Sequence, residues 1–197
     1  MINENYRILI TTSLDPHHKD TQSLCKDLEC CIPGSKYVLR TQNPPTDILT
    51  VKVVEQMGRP YSIRISDKLS VGTKGEVNYI DLDIIQYKPI EKVNPGKAIA
   101  PLTELMASNF ENDEYNDVLD WLIKLYGLKL VNGRQVASFT VHRGFIYFRM
   151  YRSLFTTNKN ADLLNIGPHI TFRLREKVKD GVRSKFKYNS KGVCIIK

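Results

Sequence analysis

Four cysteines in 197 residues, none of them in a CxxC pair, do not make a disulfide framework. Cys25, Cys30, Cys31 and Cys194 are therefore read as reduced thiols, and Cys25 and Cys31 as small buried hydrophobes on the stripe Leu24, Cys25, Leu28, Cys31, Ile32. Apolar runs stop at about five residues, far short of the roughly 20 that a membrane-spanning helix needs. The N-terminus MINENYRILI also lacks the basic-then-apolar order of a signal peptide, so an intracellular protein with no membrane partner is expected. No GxxxxGK[ST] loop, GxGxxG, HExxH or GxSxG occurs, which removes the common nucleotide, metalloprotease and hydrolase signatures. His17 and His18 lie near Cys25 and Cys30 in sequence, but adjacent histidines point to different sides and no second ligand pair has suitable spacing. Neither a metal nor a cofactor is expected. Thr11, Thr12 and Ser13 at a strand's end could hold a phosphate, though capping the turn that follows is the simpler role.

What the chain does have is positive charge, unevenly spread. Lys and Arg number 29 against 21 Asp and Glu, a net charge of +8. Met1 to Ala100 holds 13 basic and 12 acidic residues (+1), Pro101 to Leu128 one and six (−5), and Lys129 to Lys197 fifteen and three (+12). A surplus gathered in the last third makes one field that attracts a polyanion, and nucleic acid is the leading partner. With 42% hydrophobic residues the chain can bury a core, which excludes intrinsic disorder.

Periodicity supplies the elements. Arg7 to Ser13 reads as a short buried strand; a helix runs from Asp20, its expected N-cap, to Pro33-Gly34; Lys36–Arg40 and Asp47–Val54 are strand-like. Arg59–Ile65 and Glu76–Ile85 suggest a further strand pair joined by a glycine-bearing loop. Lys88 to Pro101, with three prolines and a glycine, marks the boundary between an N-terminal half, 1–92, and a C-terminal half, 93–197. Asp113–Tyr126 is a strong helix with Tyr115, Val118, Leu119, Leu122, Leu125 and Tyr126 on one face, acids in its first turn and Gly127 as C-cap. Trp121 lies on that helix, in the core or at a protein interface. Gln135–Val141 and Phe145–Tyr151 follow as strands. Each half has strands around one helix, so the class is α/β or α+β: two similar halves, each a mixed sheet with packed helices.

The C-terminal segment is the most informative. Ile170, Phe172 and Leu174 alternate with Arg173 and Arg175, and Val182, Phe186 and Tyr188 with Arg183, Lys185 and Lys187. A three-residue loop, Lys179-Asp180-Gly181, would place Arg175 opposite Lys185, Arg173 opposite Lys187 and Leu174 opposite Phe186. The expected result is a face of Arg173, Arg175, Lys177, Arg183, Lys185 and Lys187 with like charges across from each other, suited to phosphate. Arg134, Arg143, Arg149, Arg152 and Lys159, with His169, complete the candidate RNA-binding set. Arg143, Arg149 and Arg152 flank Phe145, Tyr147, Phe148 and Tyr151; these aromatics could stack on bases, but aromatics on both faces of a short strand read first as core.

Arg7 to Ser13, Pro16, Leu24 to Leu28, Ile32-Pro33-Gly34-Ser35 and above all Ile166-Gly167-Pro168-His169-Ile170-Thr171-Phe172-Arg173-Leu174-Arg175 resemble the Brix family of ribosome-assembly proteins. Gly133 to Phe139, followed by Phe145 to Arg149, is similar to the family's branch that acts on the large-subunit precursor. The resemblance runs from about Tyr6 to about Tyr188. It implies a nucleolar, non-enzymatic protein of two halves, each akin to the anticodon-binding domain of some aminoacyl-tRNA synthetases. Its implied partners are precursor ribosomal RNA, other large-subunit assembly factors and ribosomal proteins. This chain has His169 where the family usually has Arg, and Thr41 to Thr46 leaves room only for a loop where the family has a helix. The alternatives are a small-subunit member of the same family and, from another class, a nucleic-acid-processing enzyme.

Overall fold

The computed structural model describes residues 7–12, 18–39, 48–67, 77–95, 103–127, 135–155, 161–189 and 194–196. In chain order they form β1 (Ile8–Thr12), α1 (Lys19–Cys31), β2 (Ser35–Tyr37), β3 (Leu49–Gln56), β4 (Arg59–Ser66) and β5 (Tyr79–Lys88). After these come the short α2 (Ile90–Val93), β6 (Glu104–Ser108), α3 (Asp113–Tyr126), β7 (Gln135–His142) and β8 (Phe145–Phe155). β9 (Ala161–Asn165), β10 (His169–Lys179), β11 (Val182–Tyr188) and β12 (Cys194–Ile196) complete the order.

One sheet runs β2-β1-β3-β4-β5-β10-β8-β7-β6, with β9 on β8 and β11 and β12 beyond β10. Its two ends repeat each other. β1 leads through α1 to β2, its parallel partner on the outer side, then to β3, its parallel partner on the inner side, and on to antiparallel β4 and β5. β6 leads through α3 to its parallel partner β7, and then to antiparallel β8 and β10. Parallel neighbours need a crossover, which each helix supplies. The last strands of the two halves, β5 and β10, pair antiparallel, as strands related by a two-fold axis normal to the sheet must.

Such an axis keeps both helices on one face, and the register confirms it. Ile10, Val51, Ile65 and Ile80 are cross-strand partners in turn, as are Val53, Ile63, Leu82 and Leu174. Phe139, Phe148 and Ile170 make a third such row. All are buried in one cluster with Leu24, Cys25, Leu28 and Cys31 of α1 and Tyr115, Val118, Trp121, Leu122 and Leu125 of α3. Cys25 and Cys31 are core residues, as their stripe implies; burial pushes the Cys25 thiol up to about 12. Trp121 is core as well, with Lys124 Nζ 4.1 Å from its ring centre.

α3 begins and ends where its cap signals put it, at Asp113 and at Gly127, whose φ is 76°. α1 differs at its start: the N-cap is His18, whose Nδ1 accepts the Asp20 N–H at 3.2 Å, and Asp20 lies inside the first turn. β6 and β9 have no counterpart in the periodicity reading. The β6 sequence ELMAS is half-exposed along its length, so no alternation announces it. Thr41 to Thr46, residues 68–76 between β4 and β5, and residues 96–101 of the proline-bearing connection lie outside the described residues.

Candidate nucleic-acid interface

The β10–β11 hairpin turns through two residues, Asp180 and Gly181, both with positive φ (51° and 77°), as a type I′ turn requires. The register is accordingly Glu176 opposite Lys185, Lys177 opposite Ser184 and Val178 opposite Arg183. This corrects the three-residue loop: Arg175 does not face Lys185, and no row of like charges forms across the hairpin. A bulge is the physical reason the alternation misleads. Leu174 pairs with Leu82 and Glu176 with Asp81 on β5, so Arg175 is the extra residue and the side chains after it change face. A compensating bulge at Ile85 of β5 lies between the Thr171–Gln86 and Phe172–Ile84 pairs.

Five basic side chains of the hairpin meet acids. Arg175 donates to Asp81 at 2.9 Å and stands 3.3 Å from Asp83. Arg183 donates to Glu176 at 2.9 Å, with Lys185 at 4.0 Å from the same carboxylate and Tyr79 O–H donating to it. Lys177 and Lys179 both reach Asp117 of α3, the latter at 2.6 Å. Asp81 also takes two hydrogen bonds from Arg64, at 2.8 and 2.7 Å. Burial raises the Asp81 carboxyl, but Arg64 and Arg175 outweigh it and hold the group below its ordinary value. Burial pushes Asp83 up, against the pull of Arg175.

The face away from the helices carries a different population. On β8, Ile146, Phe148 and Met150 enter the core, while Phe145, Tyr147, Arg149 and Tyr151 point the other way and stay half-buried. The aromatics of this strand are thus core on one face only, a correction of the all-core reading. Arg149 bridges strands by donating to the Phe148 and Ile170 carbonyls, at 2.6 and 3.1 Å. Arg173 lies with its guanidinium carbon 4.0 Å from the Phe145 ring centre and 4.9 Å from that of Tyr188. His169 shares a hydrogen bond with Asn165 at 2.6 Å. Burial, then Arg149 and Lys88, lower its pKa from the ordinary imidazole value, which disfavours the cation there.

Arg143 is exposed in the β7–β8 turn with φ of 50°, Arg152 is half-buried on β8, and Lys187 is exposed on β11. Arg134 and Lys159 lie outside the described residues. The set therefore divides into paired cations on the hairpin and an aromatic-rich stretch around Arg149 and Arg173. Thr11 and Thr12 are buried, out of reach of a bound phosphate. Among the described residues no three His, Cys, Asp or Glu side chains are grouped to hold a metal, and no helix is long and apolar enough to cross a membrane. Sequence reasoning missed Asp81, Asp83 and Arg64, although Asp81 and Asp83 alternate with Ile80, Leu82 and Ile84 and so mark a polar face.

No family model matches the chain. Ribosome production factor 1 of Pongo abelii is 25% identical over 187 residues, taking in 91% of this chain and 53% of that protein. The protein of the same name from Rattus norvegicus is also 25% identical over 187 residues. The chain is similar to the ribosome production factor 1 proteins, in keeping with the resemblance read from its motifs. It spans about half the length of the curated relatives it matches. The Danio rerio protein is 43% identical over a shorter stretch of 54 residues. The crystal structure of a probable ribosomal biogenesis protein from Aeropyrum pernix K1 shares the fold, with a TM-score of 0.62 at 20% identity over 88% of this chain and 99% of that one.

Proposed function

We propose that the chain is a ribosome-biogenesis factor that binds precursor ribosomal RNA and acts as a scaffold in assembly of the large subunit. The observation that carries this is its similarity to the ribosome production factor 1 proteins along 91% of its length. The charge distribution supports it: a +12 balance in the last third favours a polyanion. The helix-free face supports it too, since half-buried Phe145, Tyr147 and Tyr151 beside Arg149 and Arg173 suit unstacked bases and their phosphates. In this reading the protein works in the nucleolus, holds RNA together with other assembly factors and ribosomal proteins, and catalyses nothing.

Crosslinking the protein to cellular RNA and sequencing the bound fragments tests it. Enrichment of large-subunit precursor RNA is expected; enrichment of small-subunit precursor, or of no RNA, overturns the assignment. Reproducible hydrolysis of RNA or nucleotide, abolished by one point substitution, would overturn the non-catalytic role.

A further inference from the structure

β8 and β11 share one edge of β10. β8 pairs with Ile170–Phe172 and β11 with Glu176–Lys179, so among the described residues Arg173, Leu174 and Arg175 have no strand partner on that side. Phe145, the first residue of β8, and Tyr188, the last of β11, border this gap, and the Arg173 guanidinium lies against both rings. Arg173 stands opposite Asp83 in register, yet Asp83 takes Arg175 instead. Among the described residues the Arg173 side chain makes no hydrogen bond or ion pair, while Arg175, Lys177 and Lys179 of the same strand each meet a carboxylate. Its Nε–H is buried without an acceptor, and so is Thr171 Oγ1, two residues back on the same helix-free face. Buried donors are nearly always satisfied in a finished structure, so two such groups side by side leave hydrogen-bonding capacity for a partner at this place.

The chemistry of that partner follows from the group. A guanidinium held by aromatic rings keeps its plane fixed and its in-plane N–H donors free, the geometry that fits two oxygens of a phosphate. Tyr147, half-buried beside Phe145 with ring centres 6.2 Å apart, offers a stacking surface next to it. We propose that the gap between β8 and β11 is a nucleotide subsite for single-stranded RNA, in which Arg173 takes a backbone phosphate and Tyr147 stacks the adjoining base. This rests on the RNA-binding reading and narrows it to one nucleotide. Duplex RNA is excluded because its bases stay stacked in the helix and cannot reach Tyr147.

The test uses a short fluorescent oligouridylate and the full chain. Arg173→Lys keeps the charge and loses the fork, and Phe145→Leu removes one wall; each is expected to weaken binding by roughly tenfold at fixed salt. In the parent protein the Arg173 Nε–H resonance is expected to shift on adding the oligouridylate, a readout independent of how the variants fold. Binding by the parent with no such shift and with Arg173→Lys at parental affinity overturns the subsite and leaves RNA binding standing. Equal affinity for a duplex of the same length overturns the single-strand assignment. Absence of any RNA binding by the parent overturns the broader reading.

Discussion

Asp81 and Arg64 face each other across β4 and β5, joined by two hydrogen bonds of 2.8 and 2.7 Å. The carboxylate is almost wholly buried, with a side chain 3% exposed, while the arginine is 35% exposed. Replacing Asp81 with Asn takes away the carboxylate partner of Arg64 and leaves Arg175 with Asp83 alone, which is expected to cost about 3 kcal/mol in urea denaturation. The pH dependence has a definite sign. Because the folded carboxyl sits below its ordinary 3.8, its stabilisation is complete above about pH 4 and is lost as pH falls through the lowered folded value. Asp81→Asn should flatten that part of the acid limb.

Gly167 is required for space. A Cβ there would lie 2.2 Å from Met150 Cβ and 2.4 Å from its Cγ, as the chain crosses β8 with Ile166 N–H bound to the Met150 carbonyl at 2.9 Å. Gly167→Ala should destabilise by about 1–3 kcal/mol. Adding Met150→Ala should restore little, since the Met150 Cβ remains; thermal denaturation of the two variants checks both statements.

The hairpin turn is sensitive to a different property. Gly181 holds φ of 77°, so Gly181→Ala introduces backbone strain and should cost about 1 kcal/mol or more. Asp180→Asn keeps a residue that tolerates φ of 51° and should change stability by no more than about 0.5 kcal/mol. Chemical denaturation of each variant measures the contrast.

Asp117 occupies two lysines at once, Lys177 and Lys179. Asp117→Asn should raise RNA affinity at low salt. It should also steepen the dependence of binding on salt by roughly 0.7 in log–log slope for each lysine that then takes a phosphate. Titration at several salt concentrations reads the slope directly; an unchanged slope places the RNA elsewhere on the surface.

The parts of this fold legible in sequence are those with local signals. α3 announces itself through its acidic first turn, apolar stripe and Gly127, and β10 through alternating Ile170, Phe172 and Leu174. The hairpin register is hidden because it depends on a bulge at Arg175, and period-two alternation has no means of signalling an extra residue. Charge neutralisation is hidden for another reason: Arg175 meets Asp81 from 94 residues away, so a basic-looking strand acquires its acids only when the sheet closes. On β8 the alternation itself separated Phe145, Tyr147 and Tyr151 from Ile146, Phe148 and Met150, but it could not say which side the helices would cover.

The pairing of β5 with β10 at the centre of the sheet also sets an order of events during synthesis. β5 ends at Lys88 and β10 at Lys179, so the ribosome must add about 90 residues before the inner edge of β5 finds its partner. At roughly 5–20 residues per second that interval is about 5–20 s, long for ten residues of open strand. Open edges recruit other chains unless charge discourages them. Asp81 is already held by Arg64 of β4, but Asp83 waits for Arg175, so the acid that meets an arginine in the finished sheet keeps a charge on the open strand of the nascent one.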